Sequence, residues 1–197
     1  MNLINRFIPK KEKLQLMYDN PALLDQMTDR VLSWTPAARD YVVICIGTDR
    51  STGDAFGPFT GSYLLEEDLK HIHVYGTLHE PVHAVNMAHY FDLVRMEHRH
   101  PFVIAVDASL GKYASVGTIT ADIGSLKPGA ALNKNLPDIG DVHMTGVVNV
   151  GGFMEYAILQ NTRLSLVVAM AKRMATLLHQ LDEQLDHKFS VSSSVMR

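Results

Sequence analysis

The stretch VVICIGTDRSTGDAFGP, Val42 to Pro58, sets the reading of the chain. Its first six residues, Val42 to Gly47, are apolar without alternation. A strand with one wet face would alternate, so this one is expected inside a sheet covered on both faces. A polar loop follows with Asp49, Arg50, Ser51, Thr52 and Asp54, and Pro58 is expected to open a helix. An apolar strand that runs into small and charged groups suits a phosphate loop, a nucleophile turn or a carboxylate held over a cleft.

The flanking sequence repeats the alternation of strand and helix. NPALLDQMTDRVLSWT has Asn20 as a cap, Pro21 at the first helical position, and an apolar stripe through Leu23, Leu24, Met27, Val31 and Leu32. IHVYGTL, PFVIAVDASLG and SVGTITADIG read as further strands, and HAVNMAHYFDLVRME as a helix between the first two of them. DVHMTGVVNVGG is Gly-rich and fits either a strand or a loop closing the crevice. NTRLSLVVAMAKRMATLLHQLDEQL is the longest helix. Strands alternating with helices imply an α/β fold, a three-layer α/β/α arrangement with a twisted, mostly parallel or mixed central sheet. Residues 1–37 are expected to form a helical extension, 38–185 a single domain, and 186–197 a flexible tail.

Composition narrows the function classes. A chain of 197 residues with 47% hydrophobic and 20% charged residues can bury the core of one globular domain. Its net charge of −3 speaks against nucleic-acid binding by bulk electrostatics. Cys45 is the one cysteine, so a disulfide framework and a cysteine-based zinc site are both excluded. The first twenty residues lack the pattern of a signal peptide, and no run approaches the ~18 apolar residues of a membrane span. The expected setting is the cytoplasm, without membrane or nucleic-acid partners.

Ligands of open α/β sheets bind at the carboxyl ends of the strands. Two expected strands end near carboxylates there: Asp54, with Asp49 close by, after the first, and Asp107 at the end of PFVIAVDASLG. Such a pair can share a proton and activate water, or hold a metal ion. The plainer roles are a helix cap for Asp54 and a turn for Asp107. Arg50 can pair with these acids, clamp a substrate carbonyl or carboxylate, or stand in solvent. The loop lacks the lysine of a P-loop, and Ser51 lacks a nucleophile elbow. His79-Glu80-Pro81-Val82-His83 has the letters of a zinc-protease motif, but Pro81 stands where a helix must run. His143 is a separate candidate ligand. Gly151-Gly152 permit close backbone approach, and Glu155 follows them as a further polar candidate.

GTDRSTGDAFGP, VYGTLHEPVHAVN, VIAVDASLG and TGVVNVGGFMEYAILQNTRLSLV closely resemble the YyaC-type sporulation proteins of spore-forming bacteria, over about residues 38–180. That family is labelled spore-protease-like, after the germination protease that degrades small acid-soluble spore proteins. A more distant resemblance is to the hydrogenase maturation endopeptidases. The resemblance implies a phosphorylase/hydrolase-like α/β/α fold. GDAFGP matches the germination protease segment that carries one essential aspartate, which assigns that role to Asp54. VDASLG matches the segment with the second, which assigns it to Asp107. In the maturation endopeptidases the same two positions grip nickel in the substrate, and His143 is the counterpart, by order along the chain, of the histidine that completes the site.

The resulting expectation is a sporulation-associated peptidase with catalytic Asp54 and Asp107. Arg50, Asp49 and Glu155 would bind substrate, a protein or peptide of the small acid-soluble spore protein kind. No cofactor is required in this reading, though a divalent metal held by Asp54, Asp107 and His143 fits the same residues. The alternative is a non-catalytic sporulation or germination factor that binds a peptide or metal ion in that crevice.

Overall fold

Tyr41–Cys45 is buried at all five positions, and its side chains divide between two cores. Val43 and Cys45 join one apolar cluster, Val42 and Ile44 the other. The computed structural model describes residues 13–36, 40–126 and 138–194, with side chains described as far as Leu185. In chain order the elements are β1 (Leu14–Met17), α1 (Leu23–Trp34), β2 (Tyr41–Cys45), α2 (Phe56–Leu64), β3 (Ile72–Tyr75), α3 (Met87–Glu97) and β4 (Phe102–Gly111). A short 3₁₀ turn at Tyr113–Ser115 leads to β5 (Thr118–Ile123), β6 (Val142–Val150), α4 (Glu155–Gln160) and α5 (Leu164–Ser194).

The sheet has six strands in the order β1-β5-β6-β4-β2-β3. Strands β6, β4, β2 and β3 run parallel, while β5 is antiparallel to β6 and to β1. The fold is therefore α/β with a mixed sheet flanked by helices. Leu23, Met27 and Val31 of α1, Phe56 and Leu64 of α2, and Val167 to Leu185 of α5 pack on one face. Met87 and Val94 of α3 cover Val42, Ile44 and Ala105 on the other. Burial of these side chains, at roughly 1.5–3 kcal/mol each, dominates the stability. No helix among the described residues is long and apolar enough to cross a membrane.

The structure corrects the expected boundaries. Residues 14–34 are not an extension: β1 completes the sheet edge by pairing Leu14–Met17 with Thr118–Ala121. Its burial alternates along LQLM, too short a pattern to announce a strand in the sequence. α1 is anchored in the main core by Leu23, Met27 and Val31, all fully buried. At the other end α5 continues through Ser194 into the stretch expected as a tail, and residues 195–197 lie outside the described ones. The Gly-rich segment resolves as β6, a central strand, because Val142, Met144 and Val148 alternate into the main core. Helix α2 begins at Phe56 rather than Pro58.

β2 has β3 on one side and β4 on the other, and its helix α2 lies on the opposite face from α3. The chain steps from β2 to β3 on one side and returns to β4 on the other, so the carboxyl edge between β2 and β4 is the switch point where open α/β sheets place their ligands.

Candidate active site

Asp107 stands where β4 outgrows β2. The last pair between these strands is Cys45 with Val106, closed by the Ile46 N–H donating to the Val106 carbonyl at 2.7 Å. From Asp107 to Gly111 strand β4 pairs only with β6. Asp107 is opposite Thr145 and shares the sheet face of Ala105, whose partner is His143. Its Oδ1 accepts the Ala108 N–H at 2.8 Å. The carboxyl group sits deep among protein atoms yet keeps part of its surface open to solvent. Burial raises its pKa to about 8; the Ala108 N–H opposes the rise, and the charge of Asp54 adds to it.

Asp54 reaches the same crevice from the turn before α2. Tight backbone packing puts it there. Gly47, with φ +150°, lies against the Asp54 carbonyl, where a Cβ would sit 1.9 Å from the oxygen. Gly57 lies on Ile46, and a Cβ there would be 2.0 Å from the Ile46 carbonyl oxygen. The first turn of α2 is thus pressed on the end of β2, as only glycines allow. The loop is also held from the far side, since the Gly53 N–H donates to the Leu159 carbonyl of α4 at 2.8 Å. Burial raises the Asp54 pKa as well, and Ser51 opposes the rise. Ser51 is 4% exposed. Its Oγ lies near enough to the Asp54 carboxylate to favour the charged form but outside hydrogen-bond geometry, which leaves the hydroxyl without a partner.

The other candidates separate. Asp49 and Arg50 are exposed, and among the described residues Arg50 makes no ion pair, so it is not tied to either buried carboxylate. Asp49 accepts a long 3.4 Å hydrogen bond from Thr48. Glu155 opens α4 and turns its Oε1 back over Gly151. His143 lies on β6 two residues before Thr145, and its Nδ1 is 2.8 Å from the Gly124 carbonyl oxygen. Among the described residues no three His, Cys, Asp or Glu side chains gather to hold a metal ion. Asp54, Asp107 and His143 form no such group; His143 pairs with Ala105, two residues back along the sheet from Asp107. His79 and His83 lie before α3 begins at Met87, off any helix.

Two supporting contributions were hidden in the sequence. One is α4, which ties the Asp54 loop through Gly53 and is itself held by Asn149, whose Nδ2 donates to Ile158 O at 3.3 Å and Thr162 Oγ1 at 3.2 Å. The other is the orphan Ser51 hydroxyl. The paired glycines before Phe153 were the sequence signal for the first; Ser51 is weighed in the sequence only as a nucleophile.

A family model matches residues 15–177, a span that contains both aspartates and every element from α1 to α4. The chain belongs to that family, described as Protein of unknown function (DUF1256). As a DUF1256 protein it is 55% identical over 139 residues to YyaC of Bacillus subtilis (strain 168), described as an uncharacterized protein. The match covers 71% of this chain and 68% of the relative. The DUF1256 chain is also similar to the [NiFe] hydrogenase maturation protease HycI from Thermococcus kodakarensis KOD1, with a TM-score of 0.47 and 17% identity, over 74% of this chain and 94% of that one.

Proposed function

We propose that this protein is a sporulation-associated peptidase in which Asp54 and Asp107 activate water for attack on a peptide bond. The observation that supports it is a pair of electrostatically coupled carboxylates at the strand switch point, one with its pKa raised to about 8. Asp107, with its pKa raised to about 8, holds a proton at neutral pH, and this reading assigns the carboxylate role to Asp54. The ionised Asp54 takes a proton from water as the oxygen attacks the carbonyl carbon. Asp107 donates its proton to the carbonyl oxygen, and the two groups exchange roles as the amine leaves. The sporulation setting and the small acid-soluble spore proteins as substrate follow from the sequence resemblance.

A second reading is a non-catalytic sporulation or germination factor that uses the same crevice for binding. Phe153, 91% exposed, with Met154 and Tyr156 also exposed, favours it, since these side chains flank the α4 segment that supports the Asp54 loop. Cleavage of purified small acid-soluble spore proteins by the wild type and by Asp54→Asn, with and without chelator, separates the readings. Product in excess of enzyme from the wild type alone supports the dyad. Absence of product with saturable binding supports the factor, and chelator-sensitive turnover points to metal chemistry instead.

A further inference from the structure

The sheet face that carries Asp107 changes character from one side to the other. Over β2 it is apolar and covered by α3 through Val42, Ile44 and Met87. Beyond Asp107 a single row of paired residues crosses the remaining strands: Asp107 opposite Thr145, Thr145 opposite Thr120, and Thr120 opposite Gln15. A sheet interior would place apolar side chains in that row. Here it forms part of the floor of a groove of about 580 Å³, in which Thr145, Thr120, Gln15 and Ser109 lie beside the apolar Leu110 and Val147. Thr145, the cross-strand partner of Asp107, brings the groove to the carboxylate pair. Lys13 and Lys112 line the same groove, both exposed. Neither makes an ion pair among the described residues.

We propose that this groove binds the substrate polypeptide in extended form and reads a carboxylate on it through Lys13 and Lys112. The proposal rests on the peptidase reading for what the bound polypeptide is. The hydroxyl and amide groups of the floor can exchange hydrogen bonds with a peptide backbone of any sequence. The lysines supply the charge preference, complementary to a carboxylate and opposite in sign to the aspartate pair. An acidic side chain and a chain-terminal carboxylate offer the same group.

The test uses fluorescein-labelled Gly/Ser peptides with one Glu, with Gln in its place, and with that Gln and either a free or an amidated C-terminus. Anisotropy titrations use full-length Asp54→Asn, so that binding is read without turnover. The expected result is about tenfold tighter binding of the carboxylate peptides than of the neutral amide. That preference disappears in the Lys13→Gln/Lys112→Gln form, whose exposed substitutions leave Tm unchanged. The Glu and free-terminus arms identify which carboxylate is read. Equal binding of all peptides, no binding of any, or a preference that survives the double lysine substitution overturns the proposal. The same peptides are then given to the wild type. Carboxylate-dependent binding without cleavage keeps the groove and removes the peptidase. Cleavage with equal kcat/KM for all peptides keeps the peptidase and removes the groove.

Discussion

Asp54 and Asp107 are electrostatically coupled: the charge on Asp54 opposes ionisation of Asp107, in addition to the larger effect of burial. Neither element alone creates this pair. β4 delivers Asp107 one position past its last contact with β2, and α2 delivers Asp54 because glycines let its first turn sit on the end of that strand.

The raised pKa of Asp107 fixes the sign of a stability effect. A carboxyl group at about 8 in the fold and near its ordinary value of 3.8 in the unfolded chain is protonated longer in the fold. Between those limits the folded state binds more protons, so stability falls as pH rises through the window. Asp107→Asn, which cannot ionise, is expected to match the wild type in Tm near pH 4 and to exceed it at pH 8. Thermal unfolding at the two pH values checks this, and a gap of the same size at both would remove the perturbed carboxyl. Activity that depends on the shared proton is expected to decline above about pH 8.

Gly57→Ala is expected to damage both fold and site. Its Cβ would lie 2.0 Å from a backbone oxygen of Ile46, and a strand in the sheet centre cannot yield as a side-chain tip can. Helix α2 must move instead, at roughly 1–3 kcal/mol or more, and it carries Asp54 with it. Denaturant unfolding should show the loss. Any activity that the aspartate pair supports, measured under conditions where the variant is fully folded, should fall as well; full activity there would mean that Asp54 does not need this seat.

The strands of the parallel core were legible because burial on both faces writes a continuous apolar run, as in Tyr41–Cys45. The two aspartates were legible because a carboxylate at a strand end breaks such a run. β1 was not, since four residues at an edge, alternating LQLM, resemble one face of a helix. The positions of Arg50 and His143 relative to the aspartates were not legible. Sequence proximity does not encode which way a loop side chain turns, or the register that places His143 opposite Ala105 rather than Asp107. The Gly-rich look of β6 hid its role because Gly146 serves close packing, with the Phe56 ring 2.7 Å from where its Cβ would be.

Asn149→Ala is expected to loosen the Asp54 loop from a distance. The side chain holds the carbonyl of Ile158 and the hydroxyl of Thr162, and the α4 segment between them receives the Gly53 N–H at Leu159. Loss of these bonds costs about 1 kcal/mol of global stability. The specific sign is faster amide exchange at Gly53. Unchanged Gly53 protection, with α4 exchanging faster, would show that the loop is held without α4.

Asp182 tests how the sheet edge is joined to α5. It is fully buried, and its carboxylate accepts the backbone N–H groups of Lys70, His71 and Ile72 at 2.8, 2.9 and 2.8 Å. One side chain thus satisfies three consecutive donors at the entry to β3, whose first residue, Ile72, pairs with Tyr41. Asp182→Ala removes the side-chain acceptor of the buried Ile72 N–H and of two half-buried donors beside it, and should cost on the order of 3 kcal/mol. Asp182→Asn keeps one acceptor oxygen but turns an N–H₂ group towards donors, so it should recover only part of the loss. Chemical denaturation measures the totals, and hydrogen exchange at residues 70–72 assigns them. The Asp54 and Asp107 loops lie at the opposite edge of the sheet, so the folded fraction of either variant should retain whatever activity the wild type has; a selective loss of activity would show that the anchor of β3 reaches the carboxylate pair.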